Sequence, residues 1–337
     1  MTEMTVLNGV AIEELLTIPM AVEAVEQAYL EKSKGDAALW PMVFHEFDPG
    51  HADLDIKSGD LGGLGFYGLK VVSWFGANPG KGLPALYGTS LLFDLATGAP
   101  RALLNAGPIT DFRTGAAGAI GAKYLARPDA ETLLMAGTGA LAPYLIAATL
   151  YLLPQIKTVY VTNPHHSECS AAACEAITPQ VEKLLSGCGG CHAAIAAAPD
   201  LEKAVRHSDV ILTATPARKP FIKAEWVQPG THISCVGADM SGKQEVDSAL
   251  FASAKVFGDD TAQCLSVGEC EVPYKAGVFS GHICEIGGVI SGAEAGRTDA
   301  SDITIFDSTG LALQDIATAG ALLQAAQEAG KGQTVTL

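Results

Sequence analysis

Lys70 stands in the middle of "YGLKVVSWF", an apolar run of strand type, where an ammonium group is costly unless an anion meets it. Arg113 lies in "TDFRTGAAGAIGAKYLA", a helical stretch for which Thr110 is the expected N-cap. In a first helical turn the dipole disfavours a cation but favours a bound carboxylate, so Arg113 is expected to meet an anion. Asp239 ends "THISCVGAD", a strand-type run, and ligands sit at the carboxyl ends of strands in open parallel sheets. Two cations and an acid of this kind could clamp a carboxylate and move a proton. Each also has a plain structural alternative: a surface lysine, a helix-surface arginine, and an aspartate that caps the turn in "ADMSGKQE".

A second pattern concerns a cofactor. Residues 133–153, "LLMAGTGALAPYLIAATLYLL", are uncharged and long enough to cross a bilayer. Glycines and Pro143 in the middle, with no companion span elsewhere, argue against a membrane segment. Instead, Gly137, Gly139 and Ala142 form G-x-G-x-x-A between a buried-strand run and a helix. Glycines there permit a tight turn and close approach to a pyrophosphate at the helix N-terminus, which predicts a dinucleotide site. At the tip of the next strand, "VTNPHHSE" puts Asn163 where an acid normally holds the ribose 2′-hydroxyl, followed by Pro164, His165 and His166. No carboxylate repels a phosphate there, so NADP(H) is expected ahead of NAD(H), although no arginine grips it. Read blandly, the two histidines are exposed turn residues.

The elements that would carry these groups follow from local pattern. Thr17 caps a helix with Pro19 in its first turn, apolar residues recur at helical spacing, and Gly35 stops it. Strand-type runs "LDIKSG", "GFYGLKVVSWF" and "LYGTSLLFD" come next, the last forming a hairpin with "PRALLNA" across "LATGA". From about residue 110 strands alternate with helices ("ETLLMAG", "KTVYVTN", "SDVILTATP", "THISCVGAD", "AKVFGDD"), the rhythm of a parallel sheet covered on both faces. A last helix, "TGLALQDIATAGALLQAAQEAG", could pack on either part. The fold class expected is α/β: a Rossmann doubly wound parallel sheet, residues 116–310, plus an α+β N-terminal substrate and dimerisation domain. That domain takes residues 1–115 with 311–337, the C-terminal helix returning to it.

Composition narrows the partners. The 337 residues are 48% apolar and carry 37 acids against 21 bases, a formal charge of −16. Nucleic acid is not expected, because phosphate neutralisation needs clustered Lys and Arg. The opening "MTEMTVLNGVAIEELL" has acids where a signal peptide needs bases, and eight cysteines without such a signal fit a reducing cytoplasm. "CGGCH", Cys188 to His192, formally matches haem attachment or half a zinc site. Export is unsupported, and Cys169 and Cys174 are spaced too loosely to complete a zinc set. A solvent-side turn is expected, with no metal.

Several longer stretches, "GLKVVS", "GLPALYG", "LLFDLATGAP", "DFRTGAAGAIGAKYLARPDA", "GTGALAPY", "GADMSGKQEVD" and "AGRTDASDITIFDSTGLALQDIATA", together resemble the ornithine cyclodeaminase and mu-crystallin family, in order from about residue 40 to 325. The resemblance implies that Lys70 binds substrate, that Arg113 touches substrate carboxylate and cofactor, and that Asp239 is the acid/base. Lys70 joins Asp239 as a catalytic candidate. Gly139, Ala140, Asn163, Thr213 and Ser308 would line the cofactor. Gly137, Thr138, Pro164, His165, Ala214, Thr215, Val236 and Gly237 complete that candidate set together with Arg113, and Thr309 joins the substrate candidates. The family is implied to be a homodimer in which N-terminal strands of both subunits pair into a shared barrel.

Two departures bear on substrate. Met42 in "WPMVFHEF" stands near a family arginine that helps hold the substrate carboxylate, and Lys57 in "LDIKSG" puts a cation where cyclodeaminases present neutral or acidic groups to a terminal ammonium. Lys57 could replace the arginine or bind a second carboxylate. The leading expectation is therefore an NAD(P)-dependent reductase of imino acids, equally an amino-acid dehydrogenase in reverse. The alternatives are a cyclodeaminase lyase that recycles NAD, and a non-enzymatic crystallin-like binder.

Overall fold

The computed structural model describes residues 2–337. Its first seven strands are β1 (Glu3–Leu7), β2 (Ala37–Leu39), β3 (Val43–Asp48), β4 (Ala52–Leu61), β5 (Phe66–Phe75), β6 (Leu86–Asp94) and β7 (Pro100–Asn105). Next come β8 (Thr132–Ala136), β9 (Thr158–Thr162), β10 (Ala194–Ala197), β11 (Val210–Thr213) and β12 (His232–Cys235). The last four are β13 (Lys255–Gly258), β14 (Cys284–Glu285), β15 (Thr304–Asp307) and β16 (Gln333–Thr336). Cα proximity divides the chain into two units, Met1–Arg113 with Leu311–Leu337, and Thr114–Gly310.

The first unit holds a sheet in the order β16-β1-β7-β6-β5-β4-β2, with β3 also on β4. Apart from the parallel β1–β7 pair, its neighbours are antiparallel. The β6–β7 hairpin turns where Asp94 accepts from the Thr97 N–H at 2.9 Å. The Ile18–Lys34 helix starts as its sequence dictates, Thr17 accepting from the Met20 N–H at 3.3 Å, and ends at Gly35 in the left-handed region. The C-terminal helix, Ala312–Glu328, settles its own question by lying over β4, β5 and β6 and against the Ile18–Lys34 helix.

Two facing glycines allow that close packing. Gly59 and Gly68 pair across β4 and β5. A Cβ at Gly59 would stand 2.5 Å from the Ala38 carbonyl and 3.0 Å from Leu313 Cδ2; one at Gly68 would stand 2.7 Å from the Leu91 carbonyl and 3.4 Å from Ile316 Cγ1. Leu313 and Ile316 belong to the C-terminal helix, so the glycine pair forms the seat on which that helix rests.

The second unit is a parallel sheet in the order β10-β9-β8-β11-β12-β15-β13-β14. Every residue of β11, β12 and β15 is buried, which requires both faces of the sheet to be covered. The uncharged run 133–153 resolves into β8 and the Ala142–Leu152 helix, and among the described residues no helix is long and apolar enough to cross a membrane. Strand order reverses between β8 and β11, which creates a crevice at their carboxyl ends.

The structure adds elements absent from the sequence reading: β15 is inserted between β12 and β13, and short β10 extends one edge. It also moves the start of the helix that carries Arg113. That helix begins at Ala106, four residues before Thr110, with the Asn105 side chain accepting from the Gly107 N–H at 2.9 Å. Thr110 is therefore not the N-cap; its hydroxyl donates back to the Ala106 carbonyl at 2.7 Å. Arg113 is then the eighth helical residue, beyond the first turn, and the dipole argument for it lapses.

Candidate active site

In the first unit three elements deliver charge to one point. β5 brings Lys70, the Ala106–Leu125 helix brings Thr110 and Arg113, and the C-terminal helix brings Gln314 and Asp315. Lys70 Nζ donates to Asp315 Oδ1 at 2.9 Å and to Thr110 Oγ1 at 3.3 Å. Arg113 Nε lies 3.3 Å from the same Asp315 oxygen, while its Nη1 donates to Gln314 Oε1 at 2.9 Å. Gln314 in turn donates to the Tyr29 hydroxyl at 2.8 Å, which ties the group to the Ile18–Lys34 helix.

Lys70 and Asp315 are 3% and 2% exposed. Burial pushes the Lys70 ammonium down to about 8, against the pull of Asp315. For Asp315 burial works upward, but the Arg113 and Lys70 cations overcome it and hold the carboxyl below its ordinary value. At neutral pH the pair is thus charged on both sides. Two cations thus converge on one carboxylate in a desolvated place. Nearby Asp111 is pushed up to about 6 by burial, with Arg113 opposing.

Lys57 stands directly opposite Lys70 in the β4–β5 register. Directly paired residues project to the same face of a sheet, so Lys57 looks toward the side that carries Lys70 and Asp315. Met42, the other departure, is exposed just before β3.

The second unit brings the fingerprint residues together. Gly137, at φ 133, lets β8 turn where a Cβ would stand 2.5 Å from the Ala214 carbonyl. At Gly139 a Cβ would meet nothing within 4 Å, so the turn is open where a pyrophosphate would approach, and Gly139 and Ala140 are exposed. Asn163 closes the far side: its Nδ2 donates to Thr138 Oγ1 at 3.0 Å, and its Oδ1 accepts from the His165 and His166 N–H groups at 3.1 and 2.9 Å. Pro164 is half-buried, and the exposed His165 ring meets Phe221 edge-on at 5.6 Å. An open glycine turn, a loop at the switch point and a neutral strand tip fit a dinucleotide.

Other candidates prove to be engaged with the protein itself. Thr213, Thr215 and Gly237 all donate to one buried carboxylate, Glu245. The Ala214 and Val236 N–H groups bond to Ala136 and Thr213 carbonyls. Ser308 is buried with its N–H on the Cys235 carbonyl, and the Thr309 hydroxyl donates to Asp259 at 2.7 Å. Asp239 is half-exposed and ion-paired with Lys243. Cys188 and Cys191, both half-buried, are free thiols.

Sequence reasoning missed Asp315, Gln314, Tyr29 and Glu245. A lone acid in the apolar run "LALQDIATAGALL" was the available signal for Asp315, since carboxylates are almost never fully buried unless paired. Glu245 gave none, because "SGKQEVD" reads as solvated.

Comparison with known proteins identifies the family. Residues 2–330 match the Ornithine cyclodeaminase/mu-crystallin family. The chain belongs to that family. It is 35% identical to an alanine dehydrogenase of Archaeoglobus fulgidus, over 99% of this chain and 98% of that protein. An archaeal alanine dehydrogenase dimer with bound NAD superimposes with a TM-score of 0.86 at 36% identity, covering 99% of both chains. The iminosuccinate reductase of Paracoccus denitrificans in complex with NAD+ gives 0.89 at 31%, covering 99% of this chain and 100% of that one. The protein is accordingly an enzyme, a nicotinamide-dependent oxidoreductase of the ornithine cyclodeaminase/mu-crystallin family.

Proposed function

We propose that this enzyme interconverts an imino acid and its amino acid, with Lys70 and Arg113 holding the substrate carboxylate. The observation that carries the reading is the shared Asp315 carboxylate, which fixes both cations side by side at one buried point. When bound, the dinucleotide supplies or takes the hydride. Lys70, charged below about pH 8, orients the carboxylate, and burial excludes water from that contact. Asp239 is assigned the proton at the substrate nitrogen. Lys57, on the face of Lys70, adds a cation that suits a second carboxylate and disfavours the terminal ammonium of ornithine. That placement favours reduction or dehydrogenation over cyclodeamination.

For the cofactor, the neutral tip at Asn163 supports NADP(H) ahead of NAD(H). For assembly, the first unit exposes Val43, Phe47, Phe75, Leu86 and Tyr87, with Phe47 and Phe75 stacked at 5.8 Å, and this apolar surface supports a homodimer. A similar solved structure, an archaeal alanine dehydrogenase, is itself a dimer.

The deciding experiment offers amino acids, and 2-oxo acids with amines, together with each cofactor. Stoichiometric change of the nicotinamide absorbance is expected. Ammonia release from ornithine without net cofactor turnover would replace this reading with the lyase, and no turnover of any substrate, with Asp239→Asn leaving ligand binding intact, would replace it with a binder.

A further inference from the structure

Glu245 is fully buried, and its carboxylate accepts four hydrogen bonds. Oε1 takes the Thr215 N–H at 2.7 Å and the Thr215 hydroxyl at 2.8 Å. Oε2 takes the Thr213 hydroxyl at 2.7 Å and the Gly237 N–H at 2.9 Å. Thr213 ends β11, Thr215 lies just past it, and Gly237 lies just past β12. One carboxylate therefore laces together the carboxyl ends of two adjacent parallel strands. Glu245 is itself anchored from behind, since its N–H donates to Glu269 Oε1 at 2.8 Å and its carbonyl accepts from Phe221 and Ile222. A Cβ at Gly237 would stand 2.6 Å from Glu245 Cδ, so the loop can reach the carboxylate only because that residue is glycine.

Both oxygens carry one backbone N–H each, a division that suits the ionised form and opposes the burial that pushes this carboxyl up to about 7. A hydroxyl can rotate to accept instead of donate, whereas a backbone N–H cannot. Burying a carboxylate without a cation is costly, and none of these partners is one.

We propose that Glu245 is the positioning residue of the dinucleotide cleft, setting the spacing and orientation of the loops at residues 213–215 and 236–237. The proposal rests on the reading that the cofactor lies along these strand ends. Glu245 acts through Thr215 and Gly237 and need not touch the cofactor.

Glu245→Gln tests it, because either orientation of the amide sets its NH2 against one backbone N–H. Hydrogen–deuterium exchange of the unliganded enzyme is measured over peptides covering 213–215 and 236–237, alongside the Kd for NADH by fluorescence and the split between cofactor KM and kcat. Faster exchange at those peptides, a Kd raised about tenfold or more and a cofactor KM raised more than kcat falls are expected. Unchanged exchange overturns the tethering role. Faster exchange with an unchanged Kd overturns the link to the cofactor. Wild-type enzyme that binds neither NADH nor NADPH removes the cofactor reading beneath the proposal, and exchange then reports on the tether alone. Should Glu245→Gln fail to fold, Thr213→Val removes a single donor: a smaller rise in Kd supports the proposal, and no change overturns it.

Discussion

Lys57 and Lys70 face one another across β4 and β5, two ammonium-bearing side chains in direct register on the side of the sheet that carries Asp315. Lys57 acts electrostatically on both Lys70 and Asp315, so it adds a cation beside the pair on which the substrate reading rests. Lys57→Met should therefore raise KM for the native acid substrate about tenfold or more while kcat changes little. Unchanged steady-state kinetics, or a wild type that converts ornithine to proline efficiently, would show that Lys57 serves no substrate anion.

Asp315 pairs with both Lys70 and Arg113, so its removal has two readouts. Breaking one partner of a buried ion pair costs about 3–5 kcal/mol, and Asp315→Asn should lower Tm accordingly. In the wild type the Lys70 pKa is depressed to about 8, so the ammonium proposed to hold the substrate carboxylate is present below that pH and lost as pH rises through it. The basic limb of kcat/KM is expected near pH 8. Without the Asp315 carboxylate, which opposes the effect of burial on Lys70, that limb should move to lower pH. A pH profile that does not shift in the variant would dissociate Lys70 from substrate binding.

Packing of the C-terminal helix depends on its glycine seat. Gly68→Ala puts a Cβ 2.7 Å from the Leu91 carbonyl, a backbone atom that cannot turn aside. Overpacking of this kind costs about 1–3 kcal/mol. Thermal unfolding should show that loss, and because the helix carries Asp315, KM should rise with it. A variant as stable as the wild type would mean that the sheet yields freely at β6.

Cofactor choice can be read at Asn163. NADPH should be used with a kcat/KM at least comparable to that of NADH, and Asn163→Asp should depress NADPH use about tenfold by placing a carboxylate at the strand tip. Aspartate keeps the acceptor for the His165 and His166 N–H groups, so the loop should persist. Wild-type enzyme that prefers NADH about tenfold or more would remove the NADP assignment.

Light scattering at micromolar concentration should give a mass twice the 34.7 kDa of one chain. Phe47→Glu, which places a charge within the exposed apolar surface, should shift that mass toward the monomer. A wild-type monomer would leave the stacked Phe47 and Phe75 rings without the partner assigned to them.

Much of the molecule was legible from local pattern, because local pattern is what its elements obey. Thr17, Pro19 and Gly35 delimit a helix by satisfying or releasing backbone groups within a few residues. Gly137 marks the turn after β8 because only glycine readily adopts its φ of 133 there. Lys70 in an apolar strand announced an anion without saying which, since desolvation demands a partner but places no limit on where in the chain it lies. That partner, Asp315, is 245 residues away and meets Lys70 only because Gly59 and Gly68 let the C-terminal helix rest on β4 and β5. The helix start at Ala106 was misread because Thr110 and Asn105 are both competent caps, and only folding shows which side chain meets a free N–H. Likewise, the family resemblance implied cofactor contacts at Thr213, Thr215 and Gly237, and only the tertiary structure shows their donors meeting Glu245, a residue that looks solvated in sequence and is buried where two strand ends converge. Spacing along the chain decides which turns and caps form; which carboxylate neutralises which cation is decided by packing, because charge pairing acts through space.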